Sequence, residues 1–272
     1  MTPWLDAVTQ DGLAALGARA ADADVVALGV SGRSAHELST MADEMVRYLV
    51  REHGYRAVLF EGDDAASVLL DEYVRTGDGD PRRVLAGARS FLRAEEVLGA
   101  VRWLRSYNEA HPDDPVRVVH PREEPGVPAD REAIERVLAD GVTRWRDRDP
   151  AKLVYWGGMA HTAPGDVPTA GRLLRERCSY LSVGLTFHHG EPLDWLPVLP
   201  GDFLEATLDQ AKADTFLLDL RDAPAAWADA PARTRLVGPR YDPAHDYLEG
   251  TPAGWFDLVR HTRRVTPARL FA

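Results

Sequence analysis

A single cysteine, Cys178, occurs in 272 residues, which excludes a disulfide framework and a cysteine-ligated metal cluster. Its neighbours Leu173, Leu174 and Tyr180 mark it as an inert thiol at a helix end. Long apolar runs are missing too. The longest are of strand length, well short of the ~20 residues that span a bilayer, so no membrane partner is expected. The opening Met1-Thr2-Pro3-Trp4-Leu5-Asp6 lacks the basic start and apolar core of a signal peptide, and a cytoplasmic location is the resulting expectation. Positive charge is in deficit: 43 acidic residues against 32 basic ones give a net charge of −11. A nucleic-acid partner is therefore not expected, because phosphate binding needs a basic surface. Thirty of the basic residues are arginine, a bias that reads as codon usage.

Familiar catalytic signatures are also absent. The chain has no Gly-x-Ser-x-Gly elbow, Walker loop, Gly-x-Gly-x-x-Gly turn or His-Glu-x-x-His helix. His188-His189 with Glu191 comes nearest to a metal motif. Adjacent side chains on a strand point to opposite faces, however, so no metal and no cofactor are expected.

What is present is an alternation of two periods. Short Val- and Leu-rich runs at residues 25–29, 57–61, 116–120, 153–156, 181–187 and 215–220 read as buried strands. Between them, residues 35–53 carry Leu38, Met41, Met45, Tyr48 and Leu49 at helical spacing, and residues 94–110 repeat the pattern with Val97, Leu98, Val101, Leu104 and Tyr107. Weaker helical patterns cover 131–145, 171–177 and 202–212. Asp80 and Pro81 mark the start of another helix. The order predicts an α/β fold with a mainly parallel central sheet flanked by helices on both faces. No repeat or low-complexity block interrupts it, and residues 223–252 read as a long ordered loop, so a single domain over 1–272 is expected.

In open parallel sheets ligands bind beyond the carboxyl ends of the strands. The first strand is followed by Ser31, Arg33, His36 and Glu37, and the second ends in Glu61, with Asp63 and Asp64 placed to cap the next helix. The third ends at His120, followed by Arg122, Glu123 and Glu124. The fourth runs into Gly157-Gly158-Met159-Ala160-His161, and the fifth ends at His188 and His189. Taken singly, each has an ordinary explanation as a cap, a turn carboxylate or a surface histidine. Together they line one rim with the acid/base groups that a catalytic site requires.

The order of these pieces resembles the erythromycin esterase family and its succinoglycan-biosynthesis-like relatives. The resemblance rests on Leu28-Gly29, on Gly54-Tyr55 before the strand ending in Glu61, and on Trp103-Leu104-Arg105-Ser106-Tyr107-Asn108. It continues through Trp156 to His161, Asp219-Leu220-Arg221, Phe256-Asp257 and Thr266-Pro267-Ala268-Arg269. It is colinear over most of the chain and implies a divergent erythromycin-esterase-like fold. Departures fall where the chemistry lies. Val30 and Arg33 stand where the family has its catalytic Glu and His. Gly158 and Met159 replace the first two residues of a His-Asn-x-His segment, leaving His161. Glu37 and Glu61 are kept. Only about forty residues separate Asn108 from Lys152, so the family's helical cap is largely absent.

The resemblance implies an enzyme of altered chemistry acting on a small molecule, such as a natural-product intermediate. His161, Glu61, His36 and Glu37 are the candidate catalytic residues, and Arg33, Ser31, His120 and His188 the candidate substrate-binding residues. Three readings stand. A non-hydrolytic cyclisation, elimination or isomerisation suits the loss of the water-activating pair. A true ester or lactone hydrolase would use His36 or His161 as base. A non-catalytic descendant would bind a ligand, haem included, since the wider fold group resembles haem-binding ChaN-like proteins. The missing cap leaves an open cleft or one closed by a partner chain, which makes room for a homo-oligomer. Apolar residues at 195–199 and 255–258 are candidates for its lining or for core.

Overall fold

The short apolar runs become strands in a computed structural model of the chain, which describes residues 4–9, 12–121, 130–190, 199–238, 241–242 and 244–271. In chain order the strands are β1 (Val25–Val30), β2 (Tyr55–Phe60), β3 (Arg117–Val119), β4 (Lys152–Gly158) and β5 (Tyr180–Gly190). They are followed by β6 (Thr215–Asp219), β7 (Ala232–Arg235), β8 (Tyr247–Gly250) and β9 (Leu258–Val265). Seven of them form one sheet in the order β3-β2-β4-β1-β5-β9-β6, parallel throughout except for β6, which runs against β9.

β1 is the middle strand, and all six of its residues are buried. Its alternate residues serve opposite layers, as a period of two demands. Val26, Leu28 and Val30 pack with Leu38, Met45 and Leu49 of the helix His36–His53 and with Leu98 and Val101 of the helix Glu95–Ala110. Val25 and Ala27 face the other way, toward Leu138 and Val142 of the helix Arg131–Arg148 and Leu174 of the helix Ala170–Arg175. The sheet is thus covered on both sides. β1 pairs with β4 and β5, neither adjacent to it in sequence. The connections leaving β1 and β4 therefore diverge, and a crevice opens at their carboxyl ends.

Two elements differ from the sequence expectation. β9 lies next to the sheet edge yet carries Arg260, His261, Arg263 and Arg264, so its hydropathy hides it. Three of its polar side chains reach neighbours instead: His261 Nδ1 lies 2.9 Å from Thr186 Oγ1, Arg263 donates to Asp209 at 3.1 Å, and Arg260 donates to Glu44 at 2.9 Å. The 223–252 segment, expected as a loop, contains the antiparallel pair β7–β8. Local signals did hold. The side chain of Asp63 accepts from Ala66 N at 3.0 Å and that of Asp80 from Arg82 N at 3.0 Å, each opening a helix. Cys178 is half-buried and donates to Leu174 O, and burial pushes its thiol pKa up. Trp255, Phe256 and Leu258 belong to the core, while 195–198 lie outside the described residues. Among the described residues no helix is long and apolar enough to cross a membrane.

Candidate active site at the strand ends

Glu61 follows β2 directly, and its amide donates to Trp156 O at 3.0 Å, which extends the ladder by one step and sets the residue against β4. Its side chain is buried but fully engaged. Oε2 accepts from Tyr155 Oη at 2.8 Å and from Gly158 N at 3.3 Å, while Oε1 takes an ion pair from Arg33. The same guanidinium donates to the Glu61 carbonyl at 3.0 Å and lies 4.2 Å from the centre of the Phe91 ring. This crowding explains a glycine. A Cβ at Gly157 would stand 2.4 Å from Glu61 Oε2 and 2.6 Å from the Tyr155 ring, so only glycine lets the carboxylate lie across β4.

His161 enters from the other side, on the single helical turn Met159–Thr162 that β4 feeds. Its Nδ1 is 2.8 Å from Glu135 Oε1, and its Nε2 is 3.9 Å from Glu61 Oε1. Glu135 is fully buried, and its second oxygen accepts from Ala170 N at 2.9 Å. One carboxylate therefore fixes the imidazole and caps the next helix. Burial pulls the His161 pKa down, but the hydrogen bond to Glu135 and the charge of Glu61 outweigh it, and the net shift is upward. Burial first, then the charge of Glu61, drives the Tyr155 phenol well above its ordinary value, so Tyr155 stays a neutral donor. A small pocket of about 20 Å³ adjoins the cluster, with Val30, Arg33, Ser39, Phe60, Phe91 and Trp156 in its wall; that is space for one water-sized group.

The structure brings His161, Glu61 and Arg33 together. His36 and Glu37 make their contacts elsewhere, at the start of the helix His36–His53. His36 Nδ1 meets Glu96 Oε1 at 2.6 Å, and Glu96 also accepts from Arg269 N and Nε. Glu37 accepts from Thr266 N at 2.6 Å and from Thr266 Oγ1 at 2.7 Å. Both residues thereby hold the Thr-Pro-Ala-Arg tail. Ser31 is buried in the loop after β1, and among the described residues its hydroxyl has no hydrogen-bond partner. His120 follows β3 and is half-buried. His188 sits at the end of β5, with its Nδ1 3.1 Å from that of His189. Arg122, Glu123, Glu124 and Glu191 lie outside the described residues.

Sequence reasoning missed Glu135, Tyr155 and Glu96. A signal existed for Glu135: it shares a helical stripe with Leu138, Ala139 and Val142, and a carboxylate on a core-facing stripe needs a buried partner. Glu96 offers the same signal beside Val97 and Ala100. Tyr155 carried none, because a tyrosine in an apolar strand run reads as core.

Comparison with known proteins gives these residues a context. A sequence profile of the family described as erythromycin esterase matches residues 50–120 and 123–265. No curated protein gives a significant match. Among solved structures, a Bacillus cereus protein superposes with a TM-score of 0.85 at 18% identity, covering 100% of this chain and 98% of that one. A succinoglycan biosynthesis protein gives 0.81 at 18% identity, covering 94% of this chain and 92% of the other. A histidine-to-asparagine mutant of the erythromycin esterase EreC, in its open conformation, gives 0.68 at 13% identity over 92% and 93%. At these identities the superpositions establish a shared fold.

Proposed function

Since the chain belongs to the erythromycin esterase family, we propose that it is an enzyme that acts on a small molecule by proton transfer at the strand-end rim, in a non-hydrolytic step, with His161 moving the proton. One observation carries this reading: His161 is held by buried Glu135 at Nδ1, while its Nε2 faces Glu61 across 3.9 Å. Glu61 already satisfies Arg33, Tyr155 and Gly158, which leaves it little capacity to activate water. The upward shift of the His161 pKa raises the protonated share of the ring, which suits it to act first as an acid.

The proton balance suits a cyclisation, elimination or isomerisation. His161 Nε2–H gives its proton to a developing alkoxide or leaving oxygen, and the neutral ring takes one back from a carbon or hydroxyl of the same substrate. Nδ1 keeps its hydrogen bond to Glu135 throughout, which fixes ring orientation and tautomer. Arg33 adds positive charge beside the reacting oxygen. Largely without a helical cap, the rim admits its substrate from solvent, and natural-product intermediates rich in hydroxyl and ester groups fit this chemistry. We place the reaction in the cytoplasm.

A second reading, hydrolysis of an ester or lactone, is favoured by family membership itself. One experiment separates the two. Wild type and His161→Ala are incubated in ¹⁸O-water with aryl esters, macrolactones and their open hydroxy acids, and products are read by mass. Products of unchanged mass, or lighter by one water, that depend on His161 are expected. Incorporation of ¹⁸O would install the hydrolase reading instead, and no His161-dependent product from any substrate would overturn both.

A further inference from the structure

Another set of ligating groups stands at the end of β5, and the chemistry above does not use it. His188 and His189 lie near the end of that strand, and Asp209 follows the short helix Leu204–Leu208. Side chains alternate along a strand, yet here the two rings meet edge to face at 86° with their Nδ1 atoms 3.1 Å apart. His188 Nδ1 lies 3.7 Å from Asp209 Oδ1, and all three donor atoms fall within 4.8 Å of one another. A tetrahedral ion with bonds of about 2.0–2.2 Å spaces its donors about 3.3–3.6 Å apart. The two spacings through His188, 3.1 and 3.7 Å, bracket that range.

We propose that His188, His189 and Asp209 form a binding site for a divalent transition-metal ion of the zinc class. Two imidazoles and one carboxylate suit such an ion, and three protein ligands leave a fourth position for water or a ligand. The surroundings hold the donors in place. Arg235, itself buried, donates to the carbonyls of Phe187 and His188 and fixes the strand end. Arg263 Nε donates to Asp209 Oδ1 at 3.1 Å and orients the carboxylate, while that oxygen keeps a second lone pair for an ion. The neutral ring is the ligating form. Without the ion, one Nδ1 donates to the other. With it, both rings carry their proton on Nε2 and turn both Nδ1 lone pairs to the metal. The same two arginines oppose a cation, so the affinity is modest.

The test is titration of the EDTA-stripped full chain with Zn²⁺ by calorimetry, and with Co²⁺ by visible absorbance. One equivalent of Zn²⁺ and the intense d–d bands of four-coordinate Co²⁺ are expected. Affinity should fall at least about tenfold in His189→Ala and in Asp209→Asn. It should be unchanged in His245→Ala, whose ring is exposed and paired with Asp242. His189 is exposed, so His189→Ala keeps the fold even if Asp209→Asn, which also weakens the contact to Arg263, does not. Absence of stoichiometric binding, or binding that His189→Ala leaves intact, overturns the site. Neither readout depends on turnover, so the outcome is independent of the function proposed for His161.

Discussion

Two histidines in this molecule rest Nδ1 on a buried glutamate, and the two pairs hold different things. His36 meets Glu96 at 2.6 Å, and Glu96 also takes the backbone and guanidinium of Arg269, which ties the C-terminal tail to the helix His36–His53. His161 meets Glu135 at 2.8 Å, and among the described residues Glu135 otherwise takes the amide of Ala170 and, at 3.6 Å, the exposed guanidinium of Arg131. The His161 ring is left with Nε2 toward Glu61, Arg33 and the rim. An imidazole–carboxylate contact thus says little by itself. What the pair faces decides whether it closes a fold or, on the function proposed for His161, moves a proton.

The largest expected effect breaks the comparison at its centre. His161→Ala should lower turnover about 10²–10⁴-fold, while His36→Ala should leave it within about tenfold and cost about 1.5–3 kcal/mol of stability, the range for losing a hydrogen bond to a charged group. Steady-state kinetics and denaturant titration on both variants check this. Equal losses of turnover would erase the distinction. Gly157→Ala should come next. Its methyl has to displace Glu61 or Tyr155, costing about 1–3 kcal/mol as an overpacked site and roughly tenfold in rate. Gly99→Ala, where a Cβ meets open space, is the control that should do neither.

Legibility in the sequence follows the same divide. Strand ends were readable because parallel strands are short, apolar runs, and Glu61, Arg33 and His161 all come directly after such runs. Their carboxylate partners were not, since Glu96 and Glu135 lie inside helices, where a single acidic residue on an apolar stripe looks like pattern noise. β9 was hidden for a related reason. Arg260 and Arg263 pair with Glu44 and Asp209, and His261 hydrogen-bonds Thr186, all far away in sequence, and a window of hydropathy cannot see a partner 50 or more residues off. The fold was therefore more legible than the site, because a fold rests on periodicity and a site on pairs.

Glu135→Gln sharpens the comparison by removing the charge: glutamine's one oxygen keeps an acceptor for Nδ1–H, while its amide nitrogen loses the bond that the second oxygen takes from Ala170 N, so the readout is the ring pKa. The His161 pKa should move down, read by NMR titration of the ring, and the matching limb of the pH–rate profile should follow. Linkage fixes the sign for stability. Folding raises the His161 pKa above its ordinary 6.5, so the charged ring stabilises the native state below pH 6.5. That contribution fades as pH rises through the folded value. Wild type should accordingly lose stability relative to His161→Ala across that window. A flat difference between pH 6 and 9 would mean that the two carboxylates do not hold the proton.

The smallest effect belongs to the tail. Glu37 takes two hydrogen bonds from Thr266, but the backbone there is also tied by His36 N to Thr266 O and by Ala268 N to Ser34 O, each at 2.8 Å. Glu37→Gln removes the charge and leaves those ties, so it should cost about 1 kcal/mol, or a fall of about 2–4 °C in Tm for a chain of this size, with turnover unchanged. The family resemblance places Glu37 among the catalytic residues, and this variant separates that role from a latch. A collapse of turnover at constant Tm would move Glu37 into the reaction and bring the tail with it, making the two histidine–glutamate pairs parts of one site.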